Sequence, residues 1–539
     1  MHVARRAAGK QLDTARGSKY NERTSVIGIQ PQNDLTGDLL VSLLGIDVGS
    51  SSCKGVVFDE RGKILAHASS AYAPSSPGPG MFEIDAEAFW LAVAEVTRIV
   101  AGQTAGDPVI ALAISSHGET FVPVNANGRA IAPAIMNADN RAMEQSARWE
   151  TSLGPGKIYA ITGLPLHPMW SLNKIIWLKQ HNPNLFAKAA RFVSVGDYIL
   201  MRMGMAAVTD YSLAGRTLAF DIRRKKWSVE ILDAAALRED RLPELVESGQ
   251  RIGTLSPTAA TVLGLRPGTI VATGGHDQPC GALGSGVIDA GEVSDSAGTY
   301  ECMTAASREP HNSARALSFS LNSYCHVVPN RYVTLAFFPA GVAVRWFVEQ
   351  FCGEDAAEAQ LQGMSVYDLL ADRIPSGPTG LCVTPHFIGS CNPYWDVRAT
   401  GVMVGLTPGM TRYHVYKAIY EGIACELAVN AQALEEICGK FGSITISGGG
   451  AASPFTVQLR AALTGKRIRT VQSAEAVCRG AAMLAGIAAS VFKHAHDAVH
   501  QMVPAGKIVE PDAELARRYE RQLRQYRLIF PSLDRVRAQ

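Results

Sequence analysis

The sequence predicts an α/β protein built as two similar halves facing a cleft. Three observations carry that prediction. Short apolar, strand-like runs alternate with helical spacings, in the order β, β, β, α, β near the start. That order partly recurs in the second half. In each half the opening strand pair flanks a turn of Gly, Ser and Thr. At roughly 150 residues per domain, a chain of 539 residues suggests two to four domains.

Residues 1–40 stand apart. They are polar, with Arg5, Arg6, Lys10, Arg16, Lys19 and Arg23 against only Asp13 and Glu22 before residue 25. No apolar period is present, so a disordered extension is expected. A transit peptide is the weaker alternative, since no amphipathic face accompanies the arginines. Residues 39–47 form a compact apolar run, read as a buried strand, and 53–59 and 64–69 as the next two. A helix is expected over 89–100 and a strand over 109–115. Residues 271–274 read as a strand and 281–286 as a Gly-rich turn. Strands follow at 293–298, 299–305 and 332–338, with a helix at 341–351. Late in the chain come a strand at 443–447 and helices at 453–464, 475–489 and 512–529. The halves suggest an internal duplication, giving domains at 41–285 and 286–539.

Composition removes several function classes. Fifty-one basic and 49 acidic residues give a net charge of +2, too balanced for a large phosphate footprint on nucleic acid. The longest apolar runs, 480–492 and 333–344, fall short of the ~18–20 residues that span a bilayer. Ten scattered cysteines include no CxxC pair, which argues against zinc ribbons and for free thiols in a reducing, cytoplasmic setting. His494, His496 and His500 have no obvious acid or thiol partner and read as a solvated helix face. There is no Walker A loop and no GxGxxG opening a helix after a strand.

Five segments could carry chemistry. In the first, Gly49, Ser50, Ser51 and Ser52 offer successive N–H groups and hydroxyls to an anion, with Lys54 beyond them. Asp47, at the strand end, could hold Mg²⁺ through water. The same residues also suit an ordinary hairpin turn. The second, around Gly298 and Thr299, repeats that logic in the other half, so the two turns could clamp a polyphosphate from both sides. The third, Gly274-Gly275-His276-Asp277-Gln278, delivers a carboxylate from a strand end, suited to accept a hydroxyl proton or merely to cap the next helix. The fourth, Gly448-Gly449-Gly450 with Ser453, leaves room for a base or ribose against the backbone, and Ser453 can cap the helix that Pro454 opens. The fifth, His117-Gly118-Glu119-Thr120, could bind substrate hydroxyls, although His117 also fits a surface loop.

Together these pieces resemble the FGGY family of carbohydrate kinases. Residues 169–181 fit the family's first signature, and 418–423 fit part of its second. The resemblance covers about residues 43–530. It implies two actin-like (ribonuclease H-like) domains closing over ATP–Mg²⁺ and a sugar. It makes Asp277 the general base and a residue near the metal. Gly49–Ser52, Gly298, Thr299 and Gly448–Gly450 match its phosphate and adenosine motifs. It places His117, Glu119, Thr120, Asp139, Arg141 and Gln278 in the sugar site. Tyr300 and Ala462 depart from the family pattern, as do Gly118 and His117, where an Arg and a Gln are usual before the Glu-Thr. The function expected is ATP-dependent phosphorylation of a ketose or linear polyol. The alternative is a catalytically silent ATP-binding switch, or a degenerate kinase, with a protein partner. The expected partner is a small sugar or polyol, without nucleic acid or membrane; a homodimer is admitted.

Overall fold

The computed structural model describes residues 41–471 and 475–533. The expected extension over 1–40 lies outside the described residues. Two mixed sheets dominate. The first holds β1 (Ser42–Val48), β2 (Ser52–Phe58), β3 (Ile64–Ala71), β4 (Val109–Ser116), β5 (Arg251–Thr254) and β6 (Ile270–His276) in the order β5-β6-β4-β1-β2-β3. The second holds β7 (Val293–Ala297), β8 (Tyr300–Ser307), β9 (Asn322–Cys325), β10 (Tyr332–Pro339), β11 (Ser443–Ser447), β12 (Arg467–Thr470) and β13 (Lys507–Val509) in the order β9-β10-β8-β7-β11-β12-β13.

The duplication read from the sequence appears as topology. In the first sheet β1 pairs antiparallel with β2 and parallel with β4, and β4 runs parallel to β6. In the second, β7 pairs antiparallel with β8 and parallel with β11, and β11 runs parallel to β12. Strand β9 is an addition at the edge of the second sheet.

Period-two alternation explains why β1 is buried on both faces. Leu44, Ile46 and Val48 pack with Phe89, Val93 and Val96 of α1 (Ala86–Gln103), which Asp85 caps. Each such side chain, fully buried, contributes about 1.5–3 kcal/mol. The opposite face meets helices from both halves: α3 (Asp277–Gly284) and α7 (Ala476–Ala488). Between α1 and α3 lies α2 (Ser171–His181); between α3 and α7 lie α4 (Gly341–Phe351), α5 (Arg412–Cys438) and α6 (Pro454–Thr464). The last helix is α8 (Ala513–Ser532).

Here one sequence expectation is corrected. Residues 281–286 were expected to turn, but 281–284 complete α3. Their glycines serve close packing instead. A Cβ on Gly284 would stand 1.8 Å from the carbonyl oxygen of Ala476, and one on Gly480 would stand 1.9 Å from that of Cys280. Only bare backbones can cross so closely.

The topology also sets where chemistry can occur. The carboxyl ends of parallel β1, β4 and β6 share one edge: Asp47 lies beside Ser115, and His276 beside Ser116. In the second sheet Ser296 lies beside Ser447, so Gly298 and Gly448 leave together. Ligands of open α/β sheets gather beyond such edges.

Candidate functional site

Asp277 directly follows β6 and begins α3, whose backbone N–H of Gln278 turns toward its carboxylate. Its Oδ1 has no hydrogen-bond partner. His276 Nε2 lies 3.2 Å from it without hydrogen-bond alignment. Burial, then the negative charges of Asp47 and Glu119, push Asp277 up to about 8, against the Gln278 N–H and Arg216. Asp47 is similarly placed: its Oδ1 is unpartnered, and burial raises it to about 7, with Lys54 opposing and Glu475 adding. Asp295, on β7, has a third unpartnered Oδ1. Buried oxygen donors left unpaired fit a hard divalent cation such as Mg²⁺ reached through water. Among the described residues no group of three His, Cys, Asp or Glu forms a ready metal cluster.

The first Gly-Ser turn is a tight hairpin. Gly49 N–H donates to Ser52 O at 2.9 Å, and Tyr72 pins it, donating its hydroxyl to Gly49 O at 2.5 Å. Ser50 and Ser51 are exposed at its tip and Ser52 is half-buried. Lys54 pairs with Glu475 at the start of α7, 3.4 Å away, so it bridges the two halves. The second turn, Gly298 and Thr299, is exposed and rests on the start of α4, where Gly341 N–H donates to Gly298 O at 3.1 Å.

A cavity of about 620 Å³ joins Gly298, Gly449, Gly450 and Ser453 with Tyr416, Tyr420 and Phe455. Gly448 lies just behind it, held at φ +85° against Ala297 O, where a Cβ would meet the oxygen at 2.7 Å. Ser453 occupies the cap position of α6, as expected, but its side chain makes no capping hydrogen bond. Neither Tyr300 nor Ala462 lines this cavity. The Tyr300 ring turns toward Phe337, 6.1 Å away, and Ala462 is buried on α6. A second, smaller cavity of about 50 Å³ places Asp277 and Gln278 with Gly448 and Ser296, linking the two edges.

The expected sugar-site residues divide in two. His117 is not a surface residue. It is buried, with Nδ1 2.9 Å from Val48 O and Nε2 2.8 Å from Thr120 Oγ1. With the carbonyl requiring Nδ1–H, Nε2 accepts the Thr120 hydroxyl, and Thr120 Oγ1 in turn accepts Asn137 N–H at 3.0 Å. Asp139 is fully buried, and its carboxylate takes the backbone N–H groups of Phe82 and Arg141. Arg141 closes on Asp139 and on Glu83 at 2.8 Å. All four are thus engaged with neighbouring backbone or side chains, while Asp277 and Gln278 line the small cavity.

Sequence reading missed Arg216. It is buried, donates from Nε to Glu119 Oε1 at 2.6 Å, and its guanidinium carbon lies 4.9 and 4.7 Å from the ring centroids of Trp170 and Tyr324. Gly118 makes room for it: a Cβ there would approach Arg216 Cγ and His276 Cδ2 at 2.9 Å. Gly118, where the resembled motif has Arg, thus packs against the stem of Arg216.

Helix α2 wires this site together. Ser171 Oγ donates to Glu119 O at 2.8 Å, Asn173 Nδ2 to His167 O at 2.8 Å, and Lys174 Nζ to Met136 O at 2.6 Å. Burial lowers Lys174 to about 7, against Glu119 and Asp139, with Arg141 adding. Its folded value therefore lies below its unfolded value of about 10.4. Between those values the unfolded chain binds the extra proton, so stability rises with pH through that window and is flat below about 7. Lys174→Met removes this dependence. Paired thermal melts should favour the variant most near pH 7, with the gap closing by roughly 4 kcal/mol toward pH 10. A gap that does not move with pH would show that Lys174 is not held against its charge.

With the geometry in place, comparison with known proteins is decisive. The family's N-terminal domain matches residues 42–284 and its C-terminal domain residues 293–489. The chain belongs to the FGGY family of carbohydrate kinases. This FGGY kinase is 28% identical to the xylulose kinase of Bacillus subtilis (strain 168) over 494 residues, 90% of this chain and 96% of that one. It is 27% identical to the gluconokinase of the same strain, over 92% of this chain and 96% of the relative. Its fold superposes on the crystal structure of gluconate kinase from Lactobacillus acidophilus with a TM-score of 0.82, at 25% identity, covering 92% of this chain and 98% of that one. The α/β class and the two domains expected from the sequence both hold. Among the described residues no helix is long and apolar enough to cross a membrane.

Proposed function

We propose that this kinase transfers the γ-phosphoryl group of ATP to a hydroxyl of a ketose or linear polyol, with Asp277 as general base. The observation that carries the reading is the Asp277 carboxylate at the β6 edge, its Oδ1 unpartnered, beside the small cavity that reaches Gly448. A substrate hydroxyl donating to Asp277 would lose its proton there as its oxygen bonds to phosphorus and the ADP oxygen leaves. The nucleoside would occupy the cavity of about 620 Å³, against Gly449, Gly450 and Ser453. The phosphates would run between the turns at Gly49–Ser52 and at Gly298 and Thr299. Lys54 would then exchange Glu475 for phosphate oxygens. Mg²⁺, held through water by Asp47 and Asp277, would supply charge neutralisation on those oxygens. Closure of the halves would exclude water, which otherwise competes as nucleophile. The ten free thiols suit the reducing cytoplasm such an enzyme would occupy.

The test is ADP release from Mg·ATP across a panel of polyols, ketoses and sugar acids. Stimulation by one compound is expected. Tight ATP binding with no stimulation by any compound would instead favour an ATP-binding switch.

A further inference from the structure

The two relatives named above act, by name, on a neutral ketose and on a sugar acid, at nearly equal identity. Overall likeness therefore does not choose between them, and the side chains around Asp277 must. We propose that this end of the cleft selects uncharged ketoses and polyols against sugar acids, with the Glu119–Arg216 pair as the determinant. The inference rests on the kinase reading above and narrows its substrate.

A carboxylate in a binding site needs fixed donors, most often a guanidinium fork left open to it. Among the described residues, each cation near this end already serves the protein. Arg216 is the cation that acts on Asp277. Its Nε is spent on Glu119 Oε1 at 2.6 Å, and its Nη1 lies 3.3 Å from Asn322 Oδ1. The rings of Trp170 and Tyr324 lie 4.9 and 4.7 Å from its guanidinium carbon, and only 3% of its side chain is exposed. Arg141 is closed on Asp139 and Glu83, and Lys174 on the carbonyl of Met136. The two neighbouring histidines are neutral. His117 has both nitrogens engaged, and His276 has Nδ1 on the Tyr324 hydroxyl at 3.1 Å.

The small cavity at this end is lined by Asp277 and Gln278. Hydroxyls can donate to the first and either donate to or accept from the second. A ligand carboxylate would meet Asp277 as a like charge, while the side chains of Arg216, Arg141 and Lys174 all lie buried. The guanidinium is present, but Glu119 masks it. Removing that mask should expose an anion site where the wild type has none.

The experiment compares carbon-matched pairs on the full chain: D-glucitol with D-gluconate, xylitol with D-xylonate, and D-fructose with 2-keto-D-gluconate. ADP formation from Mg·ATP is the readout, and thermal melts confirm folding. In the wild type the neutral member of at least one pair should be turned over, with kcat/KM about 100-fold above its acid. In Glu119→Gln that ratio should fall about tenfold or more, through a lower KM for the acid. Turnover of acids in preference to their neutral partners would overturn the inference while leaving the kinase reading intact. No turnover with any pair would overturn both. A folded Glu119→Gln protein with unchanged selectivity would remove the pair as determinant. Should that variant not fold, the wild-type ratios alone decide the substrate class.

Discussion

Asp277→Asn is expected to leave ATP binding near normal and to lower turnover by about 10²–10⁴-fold, the range a general base contributes. The substitution keeps side-chain volume and the position at the start of α3, so the fold should not change. It removes the one property the chemistry needs, an oxygen that can take a proton. The local electrostatics sharpen the expectation. Burial and the charges of Asp47 and Glu119 raise Asp277 above the usual carboxylate range, to about 8. Cationic charge arriving with the nucleotide would lower that value and favour the carboxylate form that accepts a proton. The measurement is kcat and KM for both substrates in the two proteins. A loss confined to the ATP KM, with kcat preserved, would move Asp277 out of the base role and into nucleotide binding.

The sequence made the strands legible because β1 is buried on both faces and its neighbours carry the same apolar signal. It also placed Asp277 correctly at a strand end, since an apolar strand running into Gly-Gly-His-Asp is a local pattern. It failed where the cause was distant. The glycines at 281 and 284 read as a turn, because the helix that needs Gly284 bare starts at Ala476. Arg216 was invisible because its partner Glu119 lies 97 residues earlier, and nothing periodic connects them. His117 looked like a loop residue because the carbonyl that holds it belongs to Val48, on another strand. The polar residues of α2 were matched as a signature without a reason; the structure supplies one, since Ser171, Asn173 and Lys174 each tie a different loop to the site.

Arg460 shows the same blindness with larger consequences. It lies on α6 and grips Glu301 on β8, 159 residues away, with Nε and Nη2 at 2.9 and 2.8 Å from the two carboxylate oxygens. Both residues are almost fully buried. Burial opposes the charge on Arg460, and Glu301 more than restores it. Nearby Asp295 is driven well above the usual carboxylate range by burial and by Glu301, with Arg460 opposing. The guanidinium is thus the counter-charge for Glu301 at the wall of the large cavity. Arg460→Met should cost about 3–5 kcal/mol, the usual effect of breaking one side of a buried pair. That corresponds to a fall in Tm of roughly 10 °C for a domain of this size. Replacing both partners, Arg460→Met with Glu301→Leu, should recover most of the loss, because no unpaired charge remains between them. Nucleotide binding should respond differently. A Cβ on Gly450 would stand 3.1 Å from Arg460 Nη2, so the guanidinium backs the Gly-rich turn that lines the large cavity. The double variant restores stability but not that support, and its KM for ATP should stay raised while the single variant's Tm defect disappears. If both recover together, Arg460 acts on stability alone, and the turn at 448–450 holds its shape without it.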